Sequence, residues 1–270
     1  MYREVAPPPD LAEAVACVWS SVSRGGVILP DGCVDLVWRG DGLVVAGPAT
    51  KPARAGVPAG VPVFGVRFRI GAAGTGLGTP AAELADLSVD AGEVLGRDAS
   101  ERVAEGGLPA LLGLVRERLA PVDPIARAAA LAMARPETRV AELARAVGLS
   151  ERQLRRRFLD AVGYGPKTLG RVLRFQRFLA LAAEERGEGA APAGRRGTRR
   201  DISPGTRSAV DLARLALDAG YADQAHLTRE ARRLSGRTPA ELLASGAGPA
   251  GERVRSVQAV GAPGAYRPAG

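Results

Sequence analysis

Two short stretches carry side chains suited to reading base pairs. In SERQLRRRFLDAV, residues 150 to 162, arginines fall at Arg152, Arg155 and Arg156. In DQAHLTREARRLS, residues 223 to 235, Gln224, Thr228 and Arg229 stand at related spacings, with Arg232 further round. Guanidinium and carboxamide groups present paired donors and acceptors that match base edges in the major groove of DNA. At roughly 100° per residue, the three arginines of the first stretch point away from Leu154, Phe158, Ala161 and Val162. In the second stretch Leu227 and Leu234 face one way while Gln224, Thr228 and Arg229 lie on another side. An arginine-rich helix face is, taken alone, most often a solvated face. The weight here comes from repetition.

The elements that must hold these side chains repeat as well. VAELARAVG (140–148) lies over LARLALDAG (212–220), so Gly148 pairs with Gly220. After one extra residue in the second copy, Leu154 falls on Leu227, Gly163 on Gly236 and Pro166 on Pro239. Each copy reads as helix, glycine turn, helix, glycine and a proline-initiated helix, which is the grammar of a helix-turn-helix. Ser150 with Gln153 three residues on forms a capping box for the first reading helix. PKTLGRVLRFQRFLALA joins the two copies as a helix of about 20 residues, or roughly 30 Å. Two recognition helices entering successive major grooves need about 34 Å between them. A stiff connector of this length suits that separation.

Composition separates two regions. The chain has 270 residues and a formal net charge of +8. Residues 1–120 are net −3, residues 121–246 net +9 and the remainder net +2. A near-neutral front and a basic back predict that the back faces a polyanion. The two cysteines, Cys17 and Cys33, sit in apolar surroundings and suit a reducing cytosol rather than a disulfide framework. MYREVAPPPD has no apolar run of a secretory signal, and no stretch approaches a membrane span. The expectation is a cytoplasmic protein without membrane contact, cofactor or metal.

The front third reads as short strands and turns. GGVILPDGCVDLVWRGDGLVVAGPA is punctuated by Pro-Asp-Gly and Gly-Asp-Gly turns. VPVFGVRFRIG alternates, with Val66, Phe68 and Ile70 on one face and Arg67 and Arg69 on the other, the pattern of a half-buried strand. GTPAAELADLSVDAGEVLG is helical in part, with Thr79 as cap and Pro80 at the first helical position. The fold class is α+β: a small β-rich or α+β N-terminal domain, then an all-α tandem helix-turn-helix domain. The expected organisation is 1–105 as a sensor or regulatory domain, 106–121 as a linker helix and 122–244 as the DNA-binding domain. The last divides into a first helix-turn-helix at 140–162, a joining helix at 166–185, a disordered insertion at 187–208 and a second helix-turn-helix at 211–235. Residues 245–270 form a disordered tail, since Gly, Pro and Ala leave little to bury.

GYADQAHLTR, the pattern G-Y-x-D-x-x-H-L-x-R, is followed by GRTP at 236–239. With the duplicated unit, this resembles the DNA-binding domain of the AraC/XylS transcription regulators over roughly residues 122–244. The resemblance implies seven helices and two adjacent major grooves. It implies base contacts at Arg152, Arg155 and Arg156, and at Gln224, Ala225, Thr228 and Arg229. It treats Asp223, His226 and Pro239 as structural. The family usually has an aromatic where Ala231 stands, so the second unit is expected to pack less tightly. The insertion carries Arg195, Arg196, Arg199 and Arg200, read either as a tolerated surface loop or as extra phosphate contacts. LPDGCVDLVW and GVRFRIGAA resemble N-terminal domains of one branch of these regulators, which implies sensing or dimerisation. The partners implied are operator or promoter double-stranded DNA, RNA polymerase and an unidentified small-molecule effector; oligomeric state is open.

Two rival readings stand beside this one. Cys33, flanked by Asp31 and Asp35, has the look of a nucleophile such as those of alkyl-transfer DNA repair proteins that precede a similar DNA-binding domain. A reactive thiol needs basic neighbours, and the neighbours here are acidic and apolar, which favours a core cysteine. The chain's one histidine, His226, lies inside the second unit, so no relay or metal set is available and an enzyme is not expected. The other rival is a basic nucleic-acid-binding protein without sequence preference. The few aromatic residues form no stacking series for single strands.

Overall fold

The computed structural model describes residues 2–186 and 211–245. The architecture is α+β, a β-rich front followed by helices. The strands are β1 (Arg3–Val5), β2 (Val15–Val22), β3 (Val27–Ile28), β4 (Asp35–Trp38), β5 (Leu43–Ala46), β6 (Ala53–Arg54), β7 (Pro62–Phe68) and β8 (Ser88–Asp90). Six of them form one antiparallel sheet in the order β1-β2-β7-β4-β5-β8, and β3 pairs with β6. The turn signals Pro-Asp-Gly and Gly-Asp-Gly bracket β4, as the sequence pattern requires. PDLAEAVACVW resolves into a 3-10 turn at Pro9–Leu11 and the start of β2.

Register puts one apolar face on the sheet. Val66 lies opposite Val18 on β2 and Leu36 on β4, and Leu36 in turn opposite Val45. Helices α1 (Ala73–Leu77), α2 (Ala91–Leu95) and α3 (Ala99–Arg118) close over that face. Leu77, Leu95, Val103, Leu111, Leu114 and Val115 fill the core with Val18, Leu36, Val66 and Phe68. The stretch 106–121 does hold a helix, the second of two that meet within α3 at a break at Gly107 (φ 57°, ψ −142°) just before Pro109, but it is not free of the front core, where Leu111, Leu114 and Val115 are buried. Thr79 is not a cap either: Pro80 precedes a 3-10 turn at Ala81–Leu84, and Asp90 caps α2 through the Gly92 N–H.

The opposite face of the sheet holds the main departure from the alternating pattern. Arg67 does not face solvent; it is fully buried. Its Nε and Nη2 donate to the two carboxylate oxygens of Asp35 at 3.0 and 2.9 Å. Asp31 lies 3.3 Å from Nη2 on the other side. Trp19 Nε1 donates to Asp35 Oδ1 at 3.1 Å, and the Cys33 N–H donates to Asp31 Oδ1 at 3.0 Å. Cross-strand pairing of Asp35 with Arg67 brings this about. Ile70 lies beyond the end of β7, and Arg69 donates to the Ala12 carbonyl at 2.8 Å.

Seven further helices follow among the described residues: α4 (Pro124–Ala132), α5 (Val140–Ala146), α6 (Glu151–Val162), α7 (Pro166–Glu185), α8 (Leu212–Ala219), α9 (Gln224–Ser235) and α10 (Pro239–Ala244). Their core is continuous with the front of the chain, because Cys33 and Ile70 pack into it. Gln176 on α7 donates to the Pro30 carbonyl at 2.6 Å. Gly163, which ends α6 with φ 95°, passes so close that a Cβ would stand 2.4 Å from Pro48 Cγ and 2.8 Å from the Ala81 carbonyl oxygen. Among the described residues no helix is long and apolar enough to cross a membrane.

Replacing Arg67 by Met leaves two buried carboxylates without their shared cation. The expected loss is about 3–5 kcal/mol of unfolding free energy, measured by urea titration. A loss below about 1 kcal/mol would mean that solvent, not Arg67, satisfies these acids.

Candidate nucleic-acid interface

Helices α4, α6, α8, α9 and α10 each start on a polar side chain that accepts from their free N–H groups, whereas α5 and α7 have no side-chain cap. Ser150 accepts from the Gln153 N–H, and the Gln153 side chain accepts in return from the Ser150 N–H at 2.9 Å. Asp211 caps α8 and Asp223 caps α9, the latter through the His226 N–H at 2.6 Å. Thr238 and Glu241 make a second capping box on α10. Such caps hold the start of a recognition helix firm, and that start is the part that enters a groove. Gly148 (φ 68°) and Gly220 (φ 92°) make the left-handed turns that bring α6 and α9 across α5 and α8.

The outward faces of α6 and α9 lie open. On α6, Leu154, Phe158, Ala161 and Val162 are buried, and Arg152, Arg155 and Arg156 are exposed. None of the three arginines forms an ion pair among the described residues. On α9, Leu227, Ala231 and Leu234 are buried, and Gln224, Ala225, Thr228 and Arg229 line one open groove. Thr228 is half-buried, and its hydroxyl donates to the Gln224 carbonyl at 2.9 Å. The hydroxyl keeps its acceptor lone pairs. Ala231 is completely buried, so burial is not lost where an aromatic was expected. Arg195, Arg196, Arg199 and Arg200 lie outside the described residues.

Two ion pairs brace α6 and α9, and sequence reasoning missed both. Arg157 on the flank of α6 donates to Asp123, the cap of α4, at 2.9 Å. Burial pushes the Asp123 carboxyl up, but the Ala126 and Ile125 N–H groups and Arg157 outweigh it and hold it below its ordinary range. Arg171 on α7 grips Glu230 on α9 with two bonds of 2.6 and 2.8 Å. Burial likewise raises Glu230, and Arg171 more than reverses it. A third pair, Arg214 with Glu185, ties α8 to the end of α7. Asp before Pro124 is legible as a cap; its partner 34 residues on is not. His226 is half-buried with its ring edge-on to Tyr221 at 5.2 Å, and Pro239 is buried.

The cysteines occupy the front of the chain. Burial and then Glu4 push the Cys17 thiol up to about 12. Burial, followed by Asp31, pushes Cys33 well above the ordinary thiol range. Arg67 pulls the other way on both, but it is bound to Asp35 and Asp31. Neither environment produces a thiolate near neutral pH.

Both cysteines are therefore expected to resist an aqueous thiol reagent in the native protein and to react fully after denaturation. Rapid native labelling of Cys33 would revive the nucleophile reading. The Glu230 carboxyl is lowered by folding, so its stabilisation is present above the unfolded value of 4.5 and is lost as pH falls through the lower folded value. Between roughly pH 5 and 3 the wild type should lose more stability than Glu230→Gln, read by thermal unfolding across pH. Equal slopes would show that Arg171 does not hold Glu230 in the folded state.

Residues 3–90 match a family described as a domain of unknown function (DUF6597). No curated protein matches the chain. Among solved structures, apo ToxT K231A from Vibrio cholerae strain SCE256 is similar at TM-score 0.41 and 11% identity, covering 84% of this chain and 96% of that one. ToxT from Vibrio cholerae O395 is similar at TM-score 0.38 and 10% identity, covering 84% and 95%.

Proposed function

We propose that this protein is a transcription regulator of the AraC/XylS type that binds specific double-stranded DNA. In this reading α6 and α9 enter two adjacent major grooves, with α7 setting their separation. The observation that carries it is the duplicated helix-turn-helix whose two outward faces hold unpaired arginines and a glutamine. Arg152, Arg155 and Arg156 read one block of bases; Gln224, Ala225, Thr228 and Arg229 read the other. Asp223, His226 and Pro239 act through the turn, the cap and the packing. The net charge of +9 over residues 121–246 supplies the general attraction to phosphate.

The front half, with α3 included in it, serves as the sensing or dimerising part. Its broad contact with α6 and α7 gives a physical route by which an effector held there alters DNA reading. RNA polymerase is the further partner of a protein with this role, and the cytoplasm is its place.

Selection of bound sequences from a random double-stranded pool, using the full-length protein, tests the reading. Two short blocks about one helical turn apart are expected. No recovered motif, with binding that vanishes steeply as salt rises, would replace sequence reading by general attraction to phosphate. Arg156→Ala is then expected to cost about 1–3 kcal/mol on the selected site and to relax preference at one position. Uniform weakening on all sequences would place Arg156 on the backbone instead.

A further inference from the structure

Between the two helix-turn-helix units runs a cleft of about 580 Å³. It reaches from Glu151, in the first turn of α6, to His226, in the first turn of α9. The starts of the two reading helices thus border one depression. Its walls come from the α4–α5 connection and from the first turns of α7. The lining is strongly basic. Two of its arginines are already committed, Arg139 to Glu142 at 3.6 Å and Arg171 to Glu230 at 2.6 Å.

Arg135, Lys167 and Arg174 also line the cleft, and none of them has an ion-pair partner among the described residues. Arg135 and Lys167 are exposed. Arg174 is held in place differently: its guanidinium carbon stands 5.5 Å over the Tyr221 ring, which also lies 5.2 Å from the His226 ring at 85°. The Arg174 Nε is buried without a hydrogen-bond partner. A cation stacked on a ring and short of an acceptor is pre-ordered for an incoming anion.

We propose that this cleft seats the sugar-phosphate backbone of the DNA strand that crosses between the two major grooves, on Arg135, Lys167 and Arg174. The site rests on the reading of α6 and α9 as groove-entering helices. Duplex that presents two successive major grooves to those helices must bring the intervening backbone past the space between them. Contacts of this kind fix register and carry no sequence information. Glu151 is the single acid among the lining residues, and it opposes the phosphate at the rim.

The test uses the full chain carrying Arg135→Gln with Lys167→Gln, both exposed positions whose replacement leaves the core intact. Arg174 is left in place because it packs on Tyr221. Binding is measured against salt on the selected duplex and on an unrelated duplex of equal length. The expected result is the same fold-loss on both, with the slope of log affinity against log salt reduced by about 1.8, at about 0.9 per phosphate contact. Neutral methylphosphonate linkages placed between the two selected blocks should weaken the wild type several-fold more than the double variant, which keeps only Arg174 at the cleft. Glu151→Gln should tighten binding to both duplexes.

Unchanged binding of the double variant, a loss confined to the selected duplex, or methylphosphonate and mutational losses that multiply independently would each overturn the proposal. Inorganic pyrophosphate displacing DNA beyond its ionic-strength effect, and doing so only when Arg135 and Lys167 are present, would make the cleft a free-anion site instead. A wild type that selects no motif sinks the reading of α6 and α9, while the salt slopes on unrelated duplex still decide the cleft.

Discussion

A single buried guanidinium organises the junction on which the rest of the chain leans. Arg67 on β7 holds Asp35 on β4 and Asp31 in the preceding loop, and Trp19 on β2 adds a bond to Asp35. Three strands and one loop are thereby fixed around one charge. Removing three ionised groups from water is expensive, and their mutual attraction offsets that only when every partner is in position. The geometry of residues 30–35 is consequently held tightly. The other side of that loop belongs to the helical half, since the Pro30 carbonyl accepts from Gln176 and Cys33 lies in the helical core. The ion cluster of the sheet and the joining helix are separated by the width of one loop.

The consequence for the helices is that α6 and α7 are not freely hung from a linker. The end of α6 at Gly163 passes against Pro48 and Ala81, and α7 lies against the Pro30 loop. Helix α9 depends on α7 through Arg171 and Glu230. Position therefore passes from sheet to loop, from loop to α7 and from α7 to α9 through contacts that are each directional. A ligand bound on the sheet side and one bound on the helices share these contacts, which is the physical requirement for coupling between them.

The basic surface also sorts by commitment. Arg157, Arg171 and Arg214 are spent within the fold on Asp123, Glu230 and Glu185. Arg152, Arg155, Arg156, Arg229, Arg135 and Lys167 have no such partner among the described residues and stand exposed. Charge alone does not distinguish the two groups, for they are interleaved along the same helices. An arginine with a carboxylate in its fork is a brace, whereas one facing solvent keeps its donors for a ligand.

The sequence by itself determined the helices of the back half. A 3.6-residue period, caps at Ser150, Asp223 and Thr238, and glycines at 148 and 220 are local signals, and local backbone energetics decide such elements. The outward direction of the arginines on α6 follows from the same period. Alternation likewise announced the strand through Val66 and Phe68. What the alternation assigned wrongly was Arg67, because period 2 tells which side a residue faces and not what covers that side. The extent of α3 and its place in the front core, the braces from Asp123 and Glu230, and the cleft between the two units were decided only by tertiary structure. Each depends on residues dozens of positions apart meeting in space, and no local pattern records that meeting.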